Sequence, residues 1–136
     1  MKKLIILTIL SFKITTTYSQ LGLGQSLSEI KKEDSVGVFD INEEKLGFIY
    51  FYYKKDVQSK IVHMLNVNLL CYETIVIPND KNMVKLWKLG LDESSMWHKT
   101  KNKNEWLMKR DDGIIITCLK DKDKNKKTIY IFNKLN

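Results

Sequence analysis

The apolar positions of this chain change period at Leu69 to Gly90, LLCYETIVIPNDKNMVKLWKLG, where an extended run is cut by Pro78 and a helical pattern follows. Leu69, Leu70, Cys71, Tyr72, Thr74, Ile75, Val76 and Ile77 are apolar, aromatic or β-branched. They predict a strand that closes at Ile77, because proline has no N–H to give to a ladder. Asn79 or Asp80 can cap the next element, Met83, Val84 and Trp87 recur at helical spacing, and Gly90 is expected as its left-handed stop.

On the N-terminal side of this seam, LGLGQSLSEIKKE holds Ser26 with Glu29 three residues on, a capping box, and Leu27, Ile30 and Val36 offer one apolar edge. Asp34 to Lys45 is polar and reads as a connection or an irregular edge. Leu46 to Lys55, LGFIYFYYKK, is an aromatic strand, with Phe48, Tyr50 and Tyr52 on one side and Ile49, Phe51 and Tyr53 on the other. Lys60 to Asn66 resumes the extended pattern, and Asn66 to Asn68 suits a tight turn into the seam. Beyond Gly90, Leu91 to Asn104 is polar and reads as an irregular crossing. Strands are expected at Glu105 to Arg110, Gly113 to Lys120 and Thr128 to Asn133, with Asp111 to Gly113 as a hairpin signal.

The order helix, strand, strand, strand thus occurs twice, over 20–78 and 79–136, within a single domain at 20–136. Consecutive hairpins favour antiparallel pairing in sequence order. The expected fold class is α+β, a six-stranded antiparallel sheet with two short helices on one face and the other face left to solvent or a partner. On Gly24, Ser26, Glu29 and Ile30 and the order of elements, the segment LGLGQSLSEIKKE with its strand meander resembles the small outer-membrane assembly lipoproteins of the BamE (SmpA/OmlA) type. The doubled unit is similar to β-lactamase inhibitory proteins. The chain departs from the lipoproteins in having Asp34, Ser35, Val36 and Gly37 where they carry a Gly-Pro turn, and in lacking their lipid-bearing cysteine. The resemblance implies an envelope protein that presents a sheet face or loops to another protein and has no chemistry of its own.

Residues 1–19 add an address. Lys2 and Lys3 precede the apolar run LIILTIL, Thr17 and Ser19 are small, and no acidic residue interrupts the stretch. This is the layout of a signal peptide cleaved after Ser19, with Lys13 as its one irregularity. Export to the periplasm or beyond the cell is expected, with no stable transmembrane segment after cleavage. Removal of Lys2, Lys3 and Lys13 takes the full-chain charge of +7 to 20 basic against 16 acidic residues, a net +4. Arg110 is the only arginine, and the lysines are interleaved with asparagine as in KNKN and KDKDKNKK. Nucleic-acid sites usually use the bidentate fork and stacking plane of arginine, nearly absent here, so nucleic acid is not an expected partner.

Candidate chemistry is sparse. His63 and His98 lack a motif partner, and there is no CxxC, HxxxH or HExxH spacing for a metal. No cofactor and no catalytic residue is assigned, and the chain is not expected to be an enzyme. Tyr50, Tyr52 and Tyr130 are the expected contact surface, since tyrosine tolerates a half-wet site. The partner class is an unknown protein or envelope component. The alternative is a small ligand carrier or hydrolase with a site near His98, beside Asp92 or Glu93. For Cys71 and Cys118, export suggests a disulfide, whereas placement on the third and fifth strands would hold them too far apart; free, buried thiols are the favoured reading.

Overall fold

The computed structural model describes residues 21–35 and 37–135; the expected leader at 1–19 and the apolar contribution expected of Val36 lie outside the described residues. The chain forms helix α1 (Leu27–Asp34), strands β1 (Asp40–Leu46), β2 (Ile49–Lys55), β3 (Ser59–Leu65) and β4 (Cys71–Pro78), helix α2 (Lys81–Glu93), then β5 (Trp97–Lys99), β6 (Glu105–Lys109), β7 (Ile115–Lys122) and β8 (Thr128–Leu135). All eight strands join one antiparallel sheet in the order β1-β2-β3-β4-β8-β7-β6-β5.

This corrects the expected six-stranded sheet built from two helix-and-three-strand units. The two extra strands, β1 and β5, are the sheet's two edges. All seven residues of β1 are exposed, so its sequence, DINEEKL, carries none of the apolar alternation that marks a half-buried strand. The order also departs from sequence order. After β4 the chain rises through α2, descends at the far edge as β5 and returns strand by strand, so that β8 pairs with β4 at the centre.

Local chemistry explains the helix starts. The Ser26 hydroxyl accepts from the Glu29 amide at 3.3 Å and donates to its carboxylate at 3.1 Å. The Asp80 carboxylate accepts from the Met83 amide at 2.8 Å. Gly90 is not the helix stop: α2 runs through it, buries Gly90 and Leu91, and ends at Ser94, whose amide bonds back to the Gly90 carbonyl. Burial of the next turn outweighs the small helix penalty of one glycine.

Both helices lie on one face. Facing residues in the ladders share a side of the sheet, and one such row, Tyr52, His63, Thr74, Phe132, Cys118 and Trp106, crosses six adjacent strands with no member more than 2 % exposed. Trp87 of α2 packs near Tyr130 and Phe132 and donates its indole N–H to the Ser59 hydroxyl at 3.1 Å. Ile30 of α1 is buried on the same side, where Lys54 pairs with Asp34 at 2.8 Å. Among the described residues no helix is long and apolar enough to cross a membrane.

Candidate functional site: the uncovered sheet face

Alternate residues of the same strands build the second face, which neither helix covers. Tyr53, Val62, Ile75, Ile131 and Leu119 stand in register across β2, β3, β4, β8 and β7. Phe51 opposite Met64 flanks this row on one side, and Ile77 and Ile129 flank it on the other. At the usual strand spacing the row is about 19 Å long. Val62 and Ile129 are buried between their neighbours, and the other members are half-buried. An antiparallel sheet face left to water usually shows polar residues at such positions, and this mostly aliphatic row departs from that pattern.

At the β1 end this face hollows into a cavity of about 730 Å³ lined by Asn42, Tyr53, Lys55, Lys60, Ile77 and Lys127 among others. The Lys60 ammonium lies 4.8 Å from the centroid of the Tyr53 ring, which itself stacks on Phe51 at 5.9 Å. The Tyr53 hydroxyl donates to Glu44 at 3.5 Å, and its pKa is raised by partial burial and by that carboxylate.

The three tyrosines of the sequence reading go elsewhere. Tyr52 and Tyr130 are 1 % and 0 % exposed, on the helix-covered face, and do not form an open contact surface. The Tyr130 hydroxyl donates to the Val84 carbonyl of α2 at 2.8 Å, and burial pushes its pKa up, as it does for Tyr52. Tyr50 is half-buried at the rim of the same face. Its hydroxyl donates to Glu43, which also pairs with Lys31, and that bond pushes the Tyr50 phenol up to about 12. Their neighbours Phe51 and Tyr53 in the same aromatic run stand on the uncovered face; with both sides of the run apolar, the alternation gives no signal as to which side is open.

His98 is exposed on β5 and alternates away from Lys99, whose ammonium is 3.8 Å from Asp92. Asp92 is turned to the covered face, where it accepts the Trp106 indole N–H at 2.9 Å and pairs with Lys88 at 2.8 Å. Glu93 is likewise exposed.

A polar knot sits instead under Leu21 and Gly22, which strap across His63 and Thr74. The Thr74 hydroxyl donates to the Leu21 carbonyl at 2.7 Å, so it accepts from His63 Nδ1 at 3.1 Å, and His63 Nε2 is left buried without a partner among the described residues. Cys71 Sγ lies 3.8 Å from that Nδ1. Burial lowers the His63 pKa to about 3 and raises that of Cys71. Both groups are therefore neutral near pH 7, and the pair does not make the thiolate of an activated nucleophile. Cys71 and Cys118 are free and buried, with β8 between their strands. No group of three or more metal-ligating side chains occurs among the described residues.

No family model, no curated protein and no solved structure matches the chain. Because each helix is followed by four strands and not three, the resemblance rests on Gly24, Ser26, Glu29 and Ile30 alone.

Proposed function

We propose that this chain is an exported, non-enzymatic interaction module of the cell envelope that holds a protein partner against the uncovered face of its sheet. The observation that carries the reading is the in-register row Tyr53, Val62, Ile75, Ile131 and Leu119. Its length and apolar character suit the packing of another sheet or an amphipathic helix about 10 Å above it. The signal-peptide layout of residues 1–19 supports the address.

A photo-crosslinking phenylalanine analogue at Leu119, on this face, should trap one adduct of defined mass in the producing cells. The same group at Lys85, on the solvent side of α2, should trap none. Absence of a Leu119 adduct, or equal adducts at both positions, would refute the reading. Mass determination of the mature chain should place its N-terminus at Gln20; retention of residues 1–19 would remove the envelope address. The carrier or hydrolase reading near His98 gains no geometric support, because His98 does not stand beside the Asp92 carboxylate.

A further inference from the structure

The two edges of the sheet are treated differently. The β5 edge has three residues, and α2 packs beside it. The β1 edge has seven residues, no bulge and no proline, and pairs only with β2. Gly47 at φ +62 followed by Phe48 closes a two-residue hairpin between Leu46 and Ile49. That turn fixes Leu46, Glu44, Asn42 and Asp40 as the residues bonded to β2, and leaves the N–H and C=O groups of Ile41, Glu43 and Lys45 directed outward. A long edge of this kind is a template for one more strand.

We infer that the β1 edge takes up an extended peptide carrying lysine or arginine four residues apart, as a ninth strand antiparallel to β1. Asp40, Asn42 and Glu44 share the face opposite the helices, with the two carboxylates about 13 Å apart along the strand. Asp40 has no ion-pair partner among the described residues, although Lys55 stands opposite it in the ladder. Glu44 has only the Tyr53 hydroxyl. On the other face Glu43 is already met by Lys31 and Tyr50. Asp40 and Glu44 line the cavity beside Lys55, Lys60 and Lys127 but form no ion pair with them among the described residues, so both carboxylates stay open to cations of an incoming strand.

The same charges argue against a second copy of this chain. Antiparallel pairing of two β1 strands centred on Asn42 sets Asp40 against Glu44, and centring on Glu43 or Glu44 sets that carboxylate against its own copy. Like charges directly opposite destabilise a ladder.

The test uses two capped seven-residue peptides, Thr-Lys-Thr-Val-Thr-Lys-Thr and the same peptide with glutamate for both lysines, added to the full mature chain. The lysine peptide should slow amide hydrogen exchange at Ile41, Glu43 and Lys45 and bind roughly tenfold more tightly than the glutamate peptide at low salt. The Asp40→Asn, Glu44→Gln double variant, altered only at exposed positions, should reduce that preference to about twofold. Equal binding of the two peptides, protection elsewhere than β1, or no binding at millimolar peptide would overturn the inference. It stands apart from the face-binding reading, since Leu119 lies five strand positions from β1.

Discussion

Acidification from pH 8 to pH 5 should destabilise this protein through one side chain, His63, and replacing that residue by asparagine should remove the effect. His63 is 2 % exposed, beneath the Leu21–Gly22 strap, and burial first, then the charge of Lys54, holds its pKa at about 3. In the unfolded chain the value is 6.5. Between those limits the unfolded chain takes up a proton that the folded chain refuses, so stability falls as pH falls through that window and is flat above it. Across the whole window the loss approaches about 5 kcal/mol, and at pH 5 it is already about 2 kcal/mol. The carboxylates with lowered values, Glu43 and Asp92, add to the loss only at lower pH, around and below their ordinary 4.5 and 3.8. Reading at pH 5 therefore isolates the imidazole. Urea unfolding followed by fluorescence of the buried Trp87, Trp97 and Trp106 should show the wild-type midpoint falling by about 1 M between pH 8 and pH 5. His63→Asn keeps a donor near the Nδ1 position for Thr74 and does not titrate, so its midpoint should move little between the two pH values, whatever its starting stability. An equal pH-dependent loss in the variant and the wild type, or none in the wild type, would refute the reasoning.

Other outcomes follow from the same core. Gly22→Ala should cost about 2 kcal/mol, because Gly22 has φ +82 and an added Cβ would stand 3.0 Å from His63 Cε1 and Nδ1; an unchanged urea midpoint would contradict this. Burial raises both thiols and shields them, so a disulfide-exchange reagent should find no reactive thiol in the native protein and two per chain in urea without reductant. Fewer than two in urea would mean a bond the fold does not allow.

Where a strand buries a face, the sequence reads well. Thr74, Val76, Ile116 and Phe132 sit in runs whose alternation is visible without a structure, and six of the eight strands come from such runs. The capping residues Ser26 and Asp80 are equally local, since each acts on an amide three positions away. The missed strands are those without a buried face: β1 is polar throughout, and β5 is a three-residue strand whose one buried side chain, Trp97, gives no period to count. The choice of covered face was illegible for a different reason. IYFYYKK is apolar on both sides, and only the arrival of α1 and α2 from distant parts of the chain makes Tyr52 interior and Tyr53 the member of an open row. Gly90 misled because a residue that ends helices in isolation is tolerated where Leu91 has a core to enter.

The central position of β8 bears on how the protein is made. Thr128–Leu135 follows the other seven described strands in sequence, yet it lies between β4 and β7. Until those residues are available, β4 and β7 each present a bare, aliphatic border, and the chain exists as two unjoined ribbons that can stick to other molecules. A chain in which β8 is missing keeps two sheet borders unpaired and open to aggregation, whereas β8 closes that seam from within.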